Sequence, residues 1–133
     1  ADPRGIEADG NLDGIYPDHL RQSDFAVENM TIVNNAANTT DNADRMQDVI
    51  KIRRGAKTTI TNALVKGSGG TIDLIDMNDS KGAGNAASSI SITYTLNFKN
   101  KLNGTLNTFT EPTTNTGADA SLFTWSGYNF SSL

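Results

Sequence analysis

Apolar and polar residues alternate along this chain in short runs, without the 3.6-residue stripe of an amphipathic helix. Phe25 and Val27 alternate with Ala26 and Glu28, and Ile50 and Ile52 with Lys51 and Arg53. Ile90, Ile92 and Tyr94 alternate with Ser91, Thr93 and Thr95, the cleanest two-residue period in the sequence. A period of two sends successive side chains to opposite faces of a strand, so each run carries one apolar face. Strands are therefore expected over 25–33, 49–53, 58–65, 71–77 and 89–98, with a further short one at 5–8. The intervening stretches Asn35 to Thr40, Gly67 to Gly70 and Asn78 to Ser88 are rich in Asn, Gly and Ser and read as turns and loops. One segment departs from the pattern. Ala43, Met46 and Ile50 fall at helical spacing behind a capping Asp41, so a short helical turn is expected over 41–50.

Two of the strand-like runs match each other. Val27-Glu28-Asn29-Met30-Thr31-Ile32 aligns with Ile60-Thr61-Asn62-Ala63-Leu64-Val65 at an offset of 60 − 27 = 33 residues, within the range of repeat lengths that build solenoids. Each copy reads apolar, polar, Asn, then a second short apolar strand. In a coiled β-solenoid the Asn marks a sharp corner, because Asn tolerates positive φ and its amide can bond the Asn of the next coil. One period then holds three strands (30–33, 49–53 and 58–61) and an extended loop. A third copy places its middle strand at 71–77 and its last at 89–94. The fold expected is all-β, a short solenoid of a few turns, with Asn29, Asn62 and Gly55 in structural roles. The competing arrangement is an antiparallel β-sandwich of seven strands, against which the matched corner residues argue.

Composition sharpens this. The 133 residues suit a single domain, and 16 threonines and 15 asparagines against 9 leucines favour strands and polar turns over long helices. The net charge is −4, which disfavours a nucleic-acid partner. No run is long and apolar enough for a membrane span. The absence of cysteine excludes disulfides and thiolate chemistry. Ala1-Asp2-Pro3 matches residues that secretion vectors leave ahead of a cloned chain, so 4–133 is read as one solenoid domain, the remainder of a longer β-helix. Sequons at Asn29, Asn38, Asn78, Asn103 and Asn129 are expected by chance in a chain this rich in Asn, Ser and Thr.

Arg4-Gly5-Ile6-Glu7-Ala8-Asp9 followed by Ser23-Asp24-Phe25-Ala26-Val27-Glu28-Asn29-Met30-Thr31-Ile32 resembles the right-handed parallel β-helix, pectate-lyase-like proteins found on or outside Bacteroidota cells. Ile50-Lys51-Ile52-Arg53-Arg54-Gly55-Ala56-Lys57-Thr58-Thr59-Ile60-Thr61-Asn62 is similar to their recurring arginine-glycine turn, and Phe123-Thr124-Trp125 to Phe130 to their Trp-bearing end. The resemblance implies a right-handed parallel β-helix with a C-terminal aromatic cap. It further implies an extracellular or cell-surface location, and a structural, adhesive or glycan-binding role without catalysis. The alternative it offers is an enzyme acting on acidic glycans with calcium.

Three groups of residues bear on that choice. Lys51, Arg53 and Arg54 form either a basic patch for acidic sugar or one half of ion pairs with Asp73, Asp76 or Glu28; the same three are the candidate bases of a lyase. Trp125 and Tyr128, with Phe123 and Phe130, form either a sugar-stacking platform or a cover over the end of the solenoid. Asp9, Asn11 and Asp13 in Asp9-Gly10-Asn11-Leu12-Asp13-Gly14 have the spacing that opens a calcium loop, although Leu20 stands where an EF-hand carries glutamate. Paired carboxylates for hydrolysis are offered by Glu7 with Asp9 and by Asp73 with Asp76. His19, the single histidine, is expected at the surface. Beyond a glycan or protein ligand, the partner expected is either a second copy meeting end to end or an N-terminal segment absent from this sequence.

Overall fold

The computed structural model describes residues 4–10, 22–34, 46–67, 72–78, 82–94, 98–106 and 108–110. The strands are β1 (Ile6–Asp9), β2 (Asp24–Glu28), β3 (Thr31–Asn34), β4 (Asp48–Arg53), β5 (Lys57–Gly67), β6 (Asp73–Asp76), β7 (Ser89–Tyr94), β8 (Asn100–Asn103) and β9 (Thr108–Thr110). They form two sheets, one ordered β1-β4-β6-β8 and the other β2-β5-β7-β9 with β3 also paired to β5. Every pair of named strands is parallel. The one antiparallel contact among the described residues is an isolated bridge between Arg53 and Ala83. The antiparallel sandwich is thereby overturned. The described part is all-β, with parallel strands in two sheets and no helix.

The expected strands form with altered ends. The run 25–33 divides into β2 and β3 around Asn29, and 71–77 shortens to β6 with Met77 buried beyond it. The strand expected to 98 ends as β7 at Tyr94. The expected helical turn is contradicted at its C-terminal end, where Asp48 to Ile50 open strand β4; its residues 41–45 lie outside the described set. There the local spacing of Met46 and Ile50 was outweighed by pairing, since β4 sits between β1 and β6. Strands β8 and β9 were not anticipated, because Asn-Lys-Leu-Asn and Thr-Phe-Thr each hold one apolar residue.

In-register stacking makes columns of like side chains. Ile6, Ile50, Ile75 and Leu102 align across the first sheet, and Val27, Ile60 and Ile90 across the second. Ile50, Ile52, Leu74 and Ile75 are fully buried, and Ile60 and Ile90 nearly so. Burying one such side chain contributes about 1.5–3 kcal/mol, so the columns constitute the core. Between stacked positions of the first sheet the chain travels 50 − 6 = 44, 75 − 50 = 25 and 102 − 75 = 27 residues. The excursions vary while the stack stays aligned.

The repeat at offset 33 is realised strand upon strand. Val27 lies beside Ile60, Glu28 beside Thr61, Thr31 beside Leu64 and Ile32 beside Val65. Asn29 and Asn62 occupy the corner with φ of 55° and 56°, and Asn62 Nδ2 donates to Asn29 Oδ1 at 2.7 Å. The third copy is shorter. Ile60 stacks on Ile90 but Ala63 on Ile92, with a register shift between them, so Thr61 and Asn62 together face only Ser91. The Asn corner therefore ends at Asn62.

Candidate functional site: an ion-pair face on the first sheet

Alternation on β4 turns Ile50 and Ile52 to the core and Lys51 and Arg53 to the opposite face, as their spacing predicted. Acidic residues of the strands on either side meet them. Glu7 of β1 and Asp76 of β6 both lie beside Lys51, and Asp9 lies beside Arg53. Lys51 Nζ forms an ion pair with Asp76 and donates to the Asn78 carbonyl oxygen at 2.6 Å. Arg53 Nη2 reaches Glu7 Oε1 at 2.7 Å and Asp9 Oδ2 at 3.0 Å. Arg54 Nη1 donates to Asp9 Oδ1 at 3.2 Å. Lys51 is only 7% exposed.

The arginine-glycine turn positions these groups. Arg54 and Gly55 follow β4 with positive φ of 55° and 79°; the left-handed region costs glycine little and a residue with a Cβ about 1–2 kcal/mol. Arg54 is held there from two sides. Its N–H and that of Gly55 donate to the carbonyls of Gly82 and Ala83, and its guanidinium meets Asp9. Over the same turn Gly10 packs so closely that an added Cβ would stand 2.1 Å from the Arg54 oxygen. Gly10 N–H donates to the Arg53 carbonyl, and Ser23 Oγ to that of Asp9. Turn, strand end and guanidinium thus fix one another.

A second polar group lies at the start of the same strands. Asp48 and Asp73 are neighbours in the ladder, both buried, with Asn100 following on β8. Arg4 Nε donates to Asp48 Oδ1 at 2.7 Å. Asn100 Nδ2 donates to Asp73 Oδ1 at 2.7 Å and Asn103 Nδ2 to Asp73 Oδ2 at 3.2 Å. Burial pushes the Asp48 carboxyl above the ordinary carboxylate range, and the Arg4 hydrogen bond and charge offset part of that rise.

Several sequence-derived candidates take other places. Of the acids expected to pair with the basic residues, Asp76 does so, whereas Asp73 accepts from the two asparagines instead. Arg53 and Arg54 turn to Glu7 and Asp9, which sequence reading had weighed as a hydrolytic pair or a calcium ligand. Asp73 and Asp76 stand at opposite ends of β6, one held by asparagines and the other by Lys51. Asn11, Asp13, His19, Trp125 and Tyr128 lie outside the described residues. Among the described residues no group of three or more His, Asp or Glu is arranged to hold a metal ion. Sequence reasoning missed Arg4 and Asp48; the clue was an aspartate heading an otherwise apolar-alternating strand.

Compared with known protein families, curated proteins and solved structures, the chain matches none.

Proposed function

We propose that this chain is a run of coils from a right-handed parallel β-helix of the extracellular, pectate-lyase-like kind, serving a structural or adhesive role without catalysis. The carrying observation is the Asn62–Asn29 contact at 2.7 Å between positions 33 residues apart, within an uninterrupted parallel register. Parallel strands joined by long crossovers turn right-handed in nearly all known cases, which supports the handedness. The polar face favours the non-catalytic reading over a lyase. A lyase base must shed its proton and reach a substrate, whereas Lys51 is buried against Asp76 and each arginine is engaged by an acid of its own sheet. Opposed charges placed between stacked strands align coils, a scaffold's need.

Incubation with pectin-like and other uronate polymers tests this, with and without calcium. The expected result is no unsaturated uronate product and no calcium-dependent rise in melting temperature. Release of such a product, lost on replacing Lys51 or Arg53, would establish the enzyme reading instead.

A further inference from the structure

Lysine is seldom buried, yet Lys51 is only 7% exposed. The register places Glu7 on one side of it and Asp76 on the other. Glu7 is taken up by Arg53 at 2.7 Å. Lys51 Nζ closes instead on Asp76 Oδ2, and the two side chains are 9% and 14% exposed. The Lys57–Asp24 pair, by contrast, stands at 3.6 Å with side chains 42% and 64% exposed. The ion pairs around Asp9 and Asp48 use arginine, whose guanidinium keeps its proton and is no nucleophile. Lys51 with Asp76 is therefore a buried amine held against a carboxyl.

The Asn78 backbone holds both members of the pair. Its carbonyl oxygen accepts from Lys51 Nζ at 2.6 Å, and its N–H donates to Asp76 Oδ1 at 2.7 Å. Asn78 is itself tied to β8, its Nδ2 donating to Asn103 Oδ1 at 2.7 Å. The Asp76 carboxyl is thus divided, with Oδ1 on a backbone donor and Oδ2 on the amine. An ammonium carries three N–H donors, and among the described residues Lys51 meets two acceptors. A secondary amide at the same nitrogen carries one N–H, which the Asn78 carbonyl satisfies. Burial also favours a neutral amide over two desolvated charges.

We propose that Lys51 and Asp76 join in an isopeptide bond, a covalent staple between β4 and β6. The step balances within the pair. A proton of the Lys51 ammonium passes to the Asp76 carboxylate, leaving an amine and a carboxylic acid. The Nζ lone pair then attacks Cγ, a reaction that fixed proximity accelerates. Negative charge develops on Oδ1, where the Asn78 N–H already points. Oδ2 leaves as water with a second proton from Nζ, and the Nζ–Cγ amide remains. No oxidant, reductant or further reactant is required. The bond closes a span of 76 − 51 = 25 residues and restricts the unfolded chain as a disulfide would, in a chain without cysteine. It goes beyond the scaffold reading above by adding a covalent tie between coils.

Intact-mass spectrometry of the full purified chain, denatured in guanidinium, provides the test. The expected mass is one water below that of the sequence, because an amide survives unfolding and an ion pair leaves no trace. A succinimide at Asp9-Gly10 or Asp13-Gly14 would also lose one water, so the loss must map to a branched tryptic peptide joining Lys51 to Asp76. Lys51→Arg and Asp76→Ala should each show the full mass of their own sequence. A folded parent that keeps its full mass after long incubation, from mildly acidic to mildly alkaline pH, overturns the proposal. So does a water loss that maps elsewhere or persists in Lys51→Arg. Circular dichroism establishes that the parent is folded, and its mass decides even where a variant fails to fold. A folded parent at full mass rejects the bond and leaves the scaffold reading standing, since that reading falls only on release of a uronate product.

Discussion

Two coil contacts in the second sheet use the same strand, β5, on its two sides, and they are built differently. On one side β2 and β3 follow β5 at a constant offset of 33, with Asn29 over Asn62 and both in the left-handed region. On the other side β7 follows at 90 − 60 = 30 and then 92 − 63 = 29, and no asparagine continues the corner. Yet Ile60, Ala63, Leu64, Val65, Ile90 and Ile92 are buried across both contacts. The core column tolerates a one-residue bulge because bulges leave the inward alternation on either side intact. The Asn ladder, by contrast, needs equal corner length in both coils. Apolar stacking therefore holds the coils together, and the amide ladder fixes the register of one pair.

The severest way to break this comparison is to attack what both contacts share. Ile60→Ala removes a buried side chain stacked on both Val27 and Ile90, and it should cost about 2–5 kcal/mol in chemical denaturation. A cost confined to a few tenths would place the core elsewhere.

The corner comes next. Asn62→Ala loses the side-chain hydrogen bond and puts alanine at positive φ, for an expected loss of about 1–2 kcal/mol. Asn62→Gly should recover most of that, since glycine accepts the torsion. Equal losses for alanine and glycine would mean that the hydrogen bond outweighs the torsion. Ser91→Ala, at the corner where the ladder has ended, is expected to lie within about 0.5 kcal/mol of the parent.

A pH series extends the comparison to the first sheet, where ion pairs stand beside amide contacts such as that from Asn78 Nδ2 to Asn103 Oδ1. The Asp48 carboxyl is raised in the fold by burial, so the folded state binds its proton more tightly than the unfolded chain does. Its contribution to stability is therefore fully present below the ordinary carboxylate pKa and is lost as pH rises through the folded value. Asp48→Asn cannot titrate. The parent should gain on the variant as pH falls from neutral toward the carboxylate range. A gap that widens in the variant's favour on acidification would contradict the direction of the shift.

Much of this was legible in the residues. Two-residue alternation located the strands from β2 to β7, and the Asn29–Asn62 match anticipated both the parallel stacking and the identity of the corner. The shared face of Lys51 and Arg53 followed from the inward turn of Ile50 and Ile52. Their partners were harder to read. Asp76 was anticipated, but Glu7 and Asp9 lie 44 residues before Lys51 and Arg53, across an excursion whose length carries no signal of where it returns. Strand β8 escaped notice because Leu102 is its single apolar residue and acquires meaning only in line with Ile75.

Taken alone, the amino-acid order determined the all-β class, the inward and outward faces of each main strand, and the corner at which asparagine adopts positive φ. These are properties of neighbours in the chain, set by sterics and by a period of two. Which strand lies on which was decided by the tertiary structure, and with it the pairing of Arg53 with Glu7 and Asp9 and the burial of Asp48 beside Asp73. Closing a loop of 25 residues or of 44 differs by only about 0.5 kcal/mol in chain entropy. Spacing therefore discriminates poorly among stacks, and the fit of the columns makes the choice.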